Sequence, residues 1–142
     1  MDQYIAGVIS IFALAITMLS GMALAGAEQA RATLSAITTM ASKDMAVDGG
    51  YTAQVRAAIE TALAAHGLQG SATAVVTPAG PDYYGQTYTV TIDYQLPVIL
   101  PGGDITVPLS TSAPGVSTYP CTAAEASAGG CAAPLVISAG GL

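Results

Sequence analysis

One long pattern governs the first 47 residues. Tyr4 to Ala27, YIAGVISIFALAITMLSGMALAGA, contains no charged residue. As a helix it rises about 36 Å, enough to cross a ~30 Å hydrocarbon core. From Glu28 to Ala46 the helical spacing continues in amphipathic form. Leu34, Ile37, Met40 (or Ala41) and Met45 recur every three to five residues, with Arg31, Ser35, Ser42 and Lys43 between them. No Pro or Gly stands between Ala27 and Val47. A single helix from Gln3 to Ala46, about 65 Å long, is therefore expected. Asp48-Gly49-Gly50 supplies its stop.

A second helix is predicted over Tyr51–Ala65. Tyr51, Val55, Ile59 and Leu63 recur every four residues and make one apolar stripe. Thr52 suits an N-cap or first-turn position. Gly67 is the natural stop, and His66, just before it, is well placed against the helix dipole. With no second His and no nucleophile beside it, His66 reads as a surface or capping residue.

From Ser71 the period changes to two. Ala72–Thr77 is a short strand, and Gln86–Leu96 alternates most clearly. Tyr88, Val90, Ile92, Tyr94 and Leu96 point one way; Thr87, Thr89, Thr91, Asp93 and Gln95 point the other. Pro101-Gly102-Gly103-Asp104 reads as a turn. Ile105, Val107 and Leu109 then alternate with Thr106, Pro108 and Ser110, and Pro108 marks an edge strand. The tail from Ser112 to Leu142 is rich in Ala, Gly, Ser, Thr and Pro and reads as loop, with Leu135–Ser138 as a candidate last strand. The predicted class is α+β: a long N-terminal apolar helix, and a second helix packed on a small antiparallel sheet. Residues 1–47 form a membrane or filament-core helix. Residues 51–142 form a globular outer domain, with a helix over 51–66 and β-rich chain over 71–142.

Composition narrows the function. Of 142 residues only 8% are charged, against about 25% in an average domain. Hydrophobic residues make up 52%, and mean hydropathy is +0.57. Such a chain has a membrane segment or a surface that other copies cover. Net charge is −6, and the three basic residues, Arg31, Lys43 and Arg56, all precede residue 57. Nothing here neutralises a run of phosphates, so nucleic-acid binding is disfavoured.

Candidate chemistry is sparse. No HExxH, GxSxG, Walker or GxGxxG pattern occurs. The nine carboxylates are scattered, and Asp44 and Asp48 sit at a helix end without the alternating acids of a calcium loop. No enzymatic activity, cofactor, metal or small-molecule substrate is expected. Cys121 and Cys131 read as a local disulfide of an oxidising compartment. The seven tyrosines read as packing and interface residues, with Tyr4 at the mouth of the apolar segment.

The uncharged opening segment has three readings. A cleaved signal peptide would fit Ala25-Gly26-Ala27, but Met1-Asp2-Gln3 is acidic where such peptides are basic. A plain membrane anchor has no need of a long, weakly polar extension. A filament-core helix, stored in the membrane before assembly, explains both parts. Small residues at Ala13, Thr17, Gly21 and Ala25 form a stripe that lets helix backbones approach closely. Tyr4, Gly7 and Ile9 are further candidate helix-packing and polymerisation residues.

The apolar N-terminal helix, its amphipathic extension and a small β-rich domain with a local disulfide resemble the subunits of type IV pili. The Asp2-Gln3-Tyr4 opening, followed by the small-residue-rich run to Ala27, is similar to pilins of the Tad type. The pair of strands around Pro101-Gly102-Gly103 resembles TadE-like subunits. The resemblance implies a major pilin of an extracellular filament, held in the inner membrane before assembly, whose partners are identical subunits. Pilins usually carry Glu at the fifth mature position, where this chain has Ile5, and the basic leader ending in Gly is missing. The resemblance then passes the charge pairing with a neighbour's N-terminal amine to Asp2. The rival readings are a membrane-anchored minor pseudopilin or pilus-assembly or secretion component, and a secreted binding module.

Overall fold

The computed structural model describes residues 2–68, 70–100 and 102–142, apart from the side chains of Asp2 and Leu100. Its elements are α1 (Asp2–Asp48), α2 (Ala53–Ala65), β1 (Ala72–Thr77), β2 (Thr87–Leu100), β3 (Gly103–Val116) and the short α3 (Ala123–Ser127). The fold is α+β, as the periodicities predict. The chain divides into two compact units, Met1–Ala30 and Arg31–Leu142. The amphipathic half of α1 thus belongs to the globular unit.

That unit forms because each element offers one apolar face. Leu34, Ile37, Ala41 and Met45 of α1 pack with Val55, Ile59 and Leu63 of α2. The sheet adds Ala72, Ala74 and Val76 from β1 and Tyr88, Val90, Ile92 and Tyr94 from β2. Fully burying an aliphatic side chain of this size contributes about 1.5–3 kcal/mol. The sequence offered Met40 or Ala41 for one core position, and Ala41 fills it while Met40 stays exposed. Thr52 caps α2 by accepting from the Val55 N–H, and His66 is its C-cap residue. Gly67 follows at φ 69°, the left-handed conformation that ends a helix.

Thr38 and Ser42 depart from the expected pattern. Ser42 reads as a polar spacer in sequence, yet both hydroxyls are buried against the sheet. Thr38 Oγ1 lies 2.6 Å from Thr111 Oγ1. Ser42 Oγ donates to Pro114 O at 3.1 Å, and the Tyr88 hydroxyl donates to Ser42 O. Tyr88 pairs across the ladder with Gly115. A Cβ on Gly115 would strike the Tyr88 ring and come within 2.7 Å of Ser42 Oγ, so this strand position demands glycine.

The sheet order is β1-β2-β3, antiparallel throughout. β2 and β3 both run further than their sequence suggests. β2 passes through Pro97 to Leu100. β3 continues to Val116, through a Ser/Pro/Gly stretch expected to be loop. The turn is tighter than Pro101–Asp104, because Gly103 already pairs with Leu100. The ladder geometry explains why the prolines are tolerated. The Gln95 N–H donates to Ser71 O at 3.0 Å, so odd-numbered residues of β2 aim their N–H groups away from β3. Pro97 shares that parity, as do the pairs Gln95↔Pro108 and Thr89↔Pro114. All three therefore place their missing donor on the side away from the β2–β3 ladder: at Pro114 that side meets α1, whose Ser42 donates to the Pro114 carbonyl, while Pro97 and Pro108 blunt unwanted strand pairing.

The tail corrects one further expectation. Leu135–Ser138 forms no strand. Instead the Ile137 N–H donates to Tyr51 O at 2.8 Å, and Gly141 bridges Thr73 on the outer side of β1.

Candidate functional site

The N-terminal unit is a helix whose sequence contains nothing to pack it against itself. From Gln3 to Gln29 every residue is exposed except Ala23 and Ala27, which are half-buried. Twelve large apolar side chains from Tyr4 to Leu24 are exposed, with Tyr4 at 85% and Ile9 at 63%. Leaving them in water forgoes about 20–35 kcal/mol relative to burial. That exceeds the whole stability of a typical domain, about 5–15 kcal/mol.

The polar side chains of this segment are silenced by the helix itself. Ser10 Oγ donates to Ala6 O at 2.8 Å, Thr17 Oγ1 to Leu14 O at 2.9 Å, and Ser20 Oγ to Ile16 O at 2.8 Å. Such back-bonded hydroxyls enter an apolar environment without an orphaned donor. The helix is long and apolar enough to cross a membrane.

Glycine is the second signal. Each glycine inside a helix costs about 1 kcal/mol relative to alanine. At Gly7, Gly21 and Gly26 an added Cβ would meet nothing within 4 Å. No contact among the described residues requires them. Ala13, Thr17, Gly21 and Ala25 are all exposed. At about 100° per residue the stripe winds through about 120° from Ala13 to Ala25, the inclined ridge that crossing helices use. Four residues before Ala13 the same inclined ridge reaches Ile9, whereas Gly7, about 160° around the helix from Ile9, lies off it. The pairing assigned to Asp2 concerns a side chain outside those described.

Cys121 and Cys131 lie in disulfide contact, with Cα atoms 6.1 Å apart. Cys121 is buried, and its carbonyl accepts from the Tyr84 N–H at 2.9 Å. Between the cysteines, Thr122 opens α3 with a capping box. Glu125 Oε2 accepts from the Thr122 N–H and from its hydroxyl, both at 2.9 Å. The backbone bond, then the side-chain bond, holds the Glu125 carboxyl below its ordinary pKa. Cys121, Glu125 and Cys131 bring ligand atoms within 4.8 Å of one another. With the sulfurs joined and Glu125 engaged, the cluster is a disulfide beside a helix cap.

Two buried polar groups escape sequence reasoning. Asp82 is 1% exposed, and its Oδ2 has no partner. Burial pushes its carboxyl above the ordinary range. The Tyr51 hydroxyl is likewise buried without a partner. Tyr51 is legible as a core ring, but its stranded hydroxyl has no signal in the sequence.

No known family matches this chain, nor does any curated protein or solved structure.

Proposed function

We propose that this chain is the structural subunit of an extracellular filament of the type IV pilus-like kind, and that it is not an enzyme. Residues 4–27 of α1 would wait in the membrane and then pack among copies of themselves, with the β-rich unit as the coat. The observation that carries this reading is the opening helix: uncharged, exposed, with its Ser and Thr hydroxyls bonded to its own backbone, and holding glycines that nothing among the described residues crowds. Moving it into close helix–helix contact recovers the burial that the single chain forgoes. Contacts that do not close on themselves then propagate a helical polymer. The proline-blunted sheet edges support the same reading, because they disfavour assembly through strands.

Electron microscopy of sheared surface material, with mass spectrometry of the fibres, tests the proposal. This chain should be the main component. A trace amount would favour a minor pseudopilin or assembly component. An exported protein starting near Glu28 would favour a secreted binding module.

A further inference from the structure

The two cysteines do not meet solvent equally. Cys121 is 2% exposed, whereas Cys131 is half-buried. A carboxylate oxygen of Glu125 lies within 4.8 Å of both sulfurs.

That carboxylate is pinned in place. Thr122, directly after Cys121, donates to Glu125 Oε2 through its N–H and its hydroxyl. In return its hydroxyl accepts from the Glu125 N–H at 3.2 Å. The backbone bond, then the side-chain bond, holds the carboxyl below its ordinary pKa, so it is charged at every pH where a thiol ionises. No basic residue follows Arg56, and the one ion pair among the described residues joins Arg56 to Glu60. The charge beside the sulfurs therefore has no salt-bridge partner.

A disulfide is opened by thiolate attack. The incoming sulfur bonds to one cysteine sulfur, the S–S bond breaks, and its electron pair leaves on the other sulfur as a thiolate. Access directs the attack to Cys131, so the pair leaves on Cys121. Glu125 opposes both halves of this step. The incoming thiolate approaches a charge of its own sign, and the negative charge forming on Cys121 Sγ does so beside that carboxylate, in a buried position. We propose that Glu125 guards the Cys121–Cys131 disulfide: its carboxylate repels anionic thiols and disfavours release of Cys121, so the 121–131 loop stays closed in the presence of reducing thiols. Nothing in this depends on assembly into filaments.

Glu125→Gln tests the guard, because a Gln here still accepts the Thr122 N–H and keeps the cap. The full-length chain in non-ionic detergent is reduced with glutathione at low ionic strength, and released thiols are trapped by alkylation over time. The variant should lose its disulfide about threefold faster, the Coulomb effect of one charge at this range in water. The gain should vanish in about 1 M salt, where the screening length falls to about 3 Å. It should also shrink with cysteamine, whose ammonium offsets its thiolate. Mass spectrometry of the trapped intermediate should place glutathione on Cys131 and the alkyl group on Cys121. Equal rates for the two proteins at low ionic strength would overturn the proposal. So would a gain that persists in salt, which marks a loosened loop instead of lost repulsion, or glutathione carried on Cys121.

Discussion

Thr38 and Thr111, 73 residues apart, share a hydroxyl contact of 2.6 Å that ties α1 to β3. Thr38 Oγ1 also donates to Leu34 O at 2.7 Å. The pair lets a helix meet a strand edge through short side chains. Ser42 and Ala46 continue the line, accepting from Tyr88 and from the Thr118 N–H at 2.8 Å. Thr38→Val keeps the shape and orphans Thr111. Chemical denaturation in detergent should show a loss of about 1–2 kcal/mol.

Gly115 is demanded by Tyr88 and Ser42, which occupy the space of a side chain. Gly115→Ala should cost about 1–3 kcal/mol through overpacking. A thermal melt of the variant checks this, with Gly102→Ala, where an added Cβ meets nothing, as the comparison.

Asp82 sets a pH dependence. Its folded pKa is raised by burial, so the folded state holds the proton more tightly than the unfolded chain does. Its favourable contribution is therefore present below the unfolded carboxylate value and is lost as pH rises through the folded value. Stability should fall across that window. Asp82→Asn should flatten the profile and raise stability at neutral pH, as denaturation curves at several pH values would show.

The disulfide constrains a short loop beside Tyr84. Removing it by Cys121→Ser with Cys131→Ser, or by reduction, should cost roughly 2–3 kcal/mol on the chain-entropy view. The fall in melting temperature on adding reductant measures it. The double variant should be insensitive to reductant.

Gly21→Leu separates assembly from folding. Nothing among the described residues crowds Gly21, so the globular unit should melt unchanged. Fibre yield should collapse, because a bulky side chain holds neighbouring helices apart. Unchanged fibres would remove Gly21 from the contact.

The helices and the first two strands were legible because their patterns are local. Gly49-Gly50 and Gly67 stop the helices, and Tyr88 to Tyr94 alternate cleanly. β3 beyond Ser110 was hidden, since Ser112 to Val116 reads as loop and becomes strand only by pairing with Thr87–Thr91. Pro97 obscured the end of β2 until the ladder parity placed its ring at an open edge. The burial of Thr38, Ser42 and Asp82 depends on partners more than 30 residues away, which no local pattern encodes. The opening helix was legible throughout, because an uncharged run needs no partner to declare itself.

Transfer of the purified full-length chain out of detergent probes that helix most directly, with sedimentation and negative-stain microscopy as readouts. Self-packing of residues 4–27 predicts long filaments or large polymers as detergent is withdrawn. A monodisperse, water-soluble monomer whose opening segment is protected against its own globular unit would contradict it.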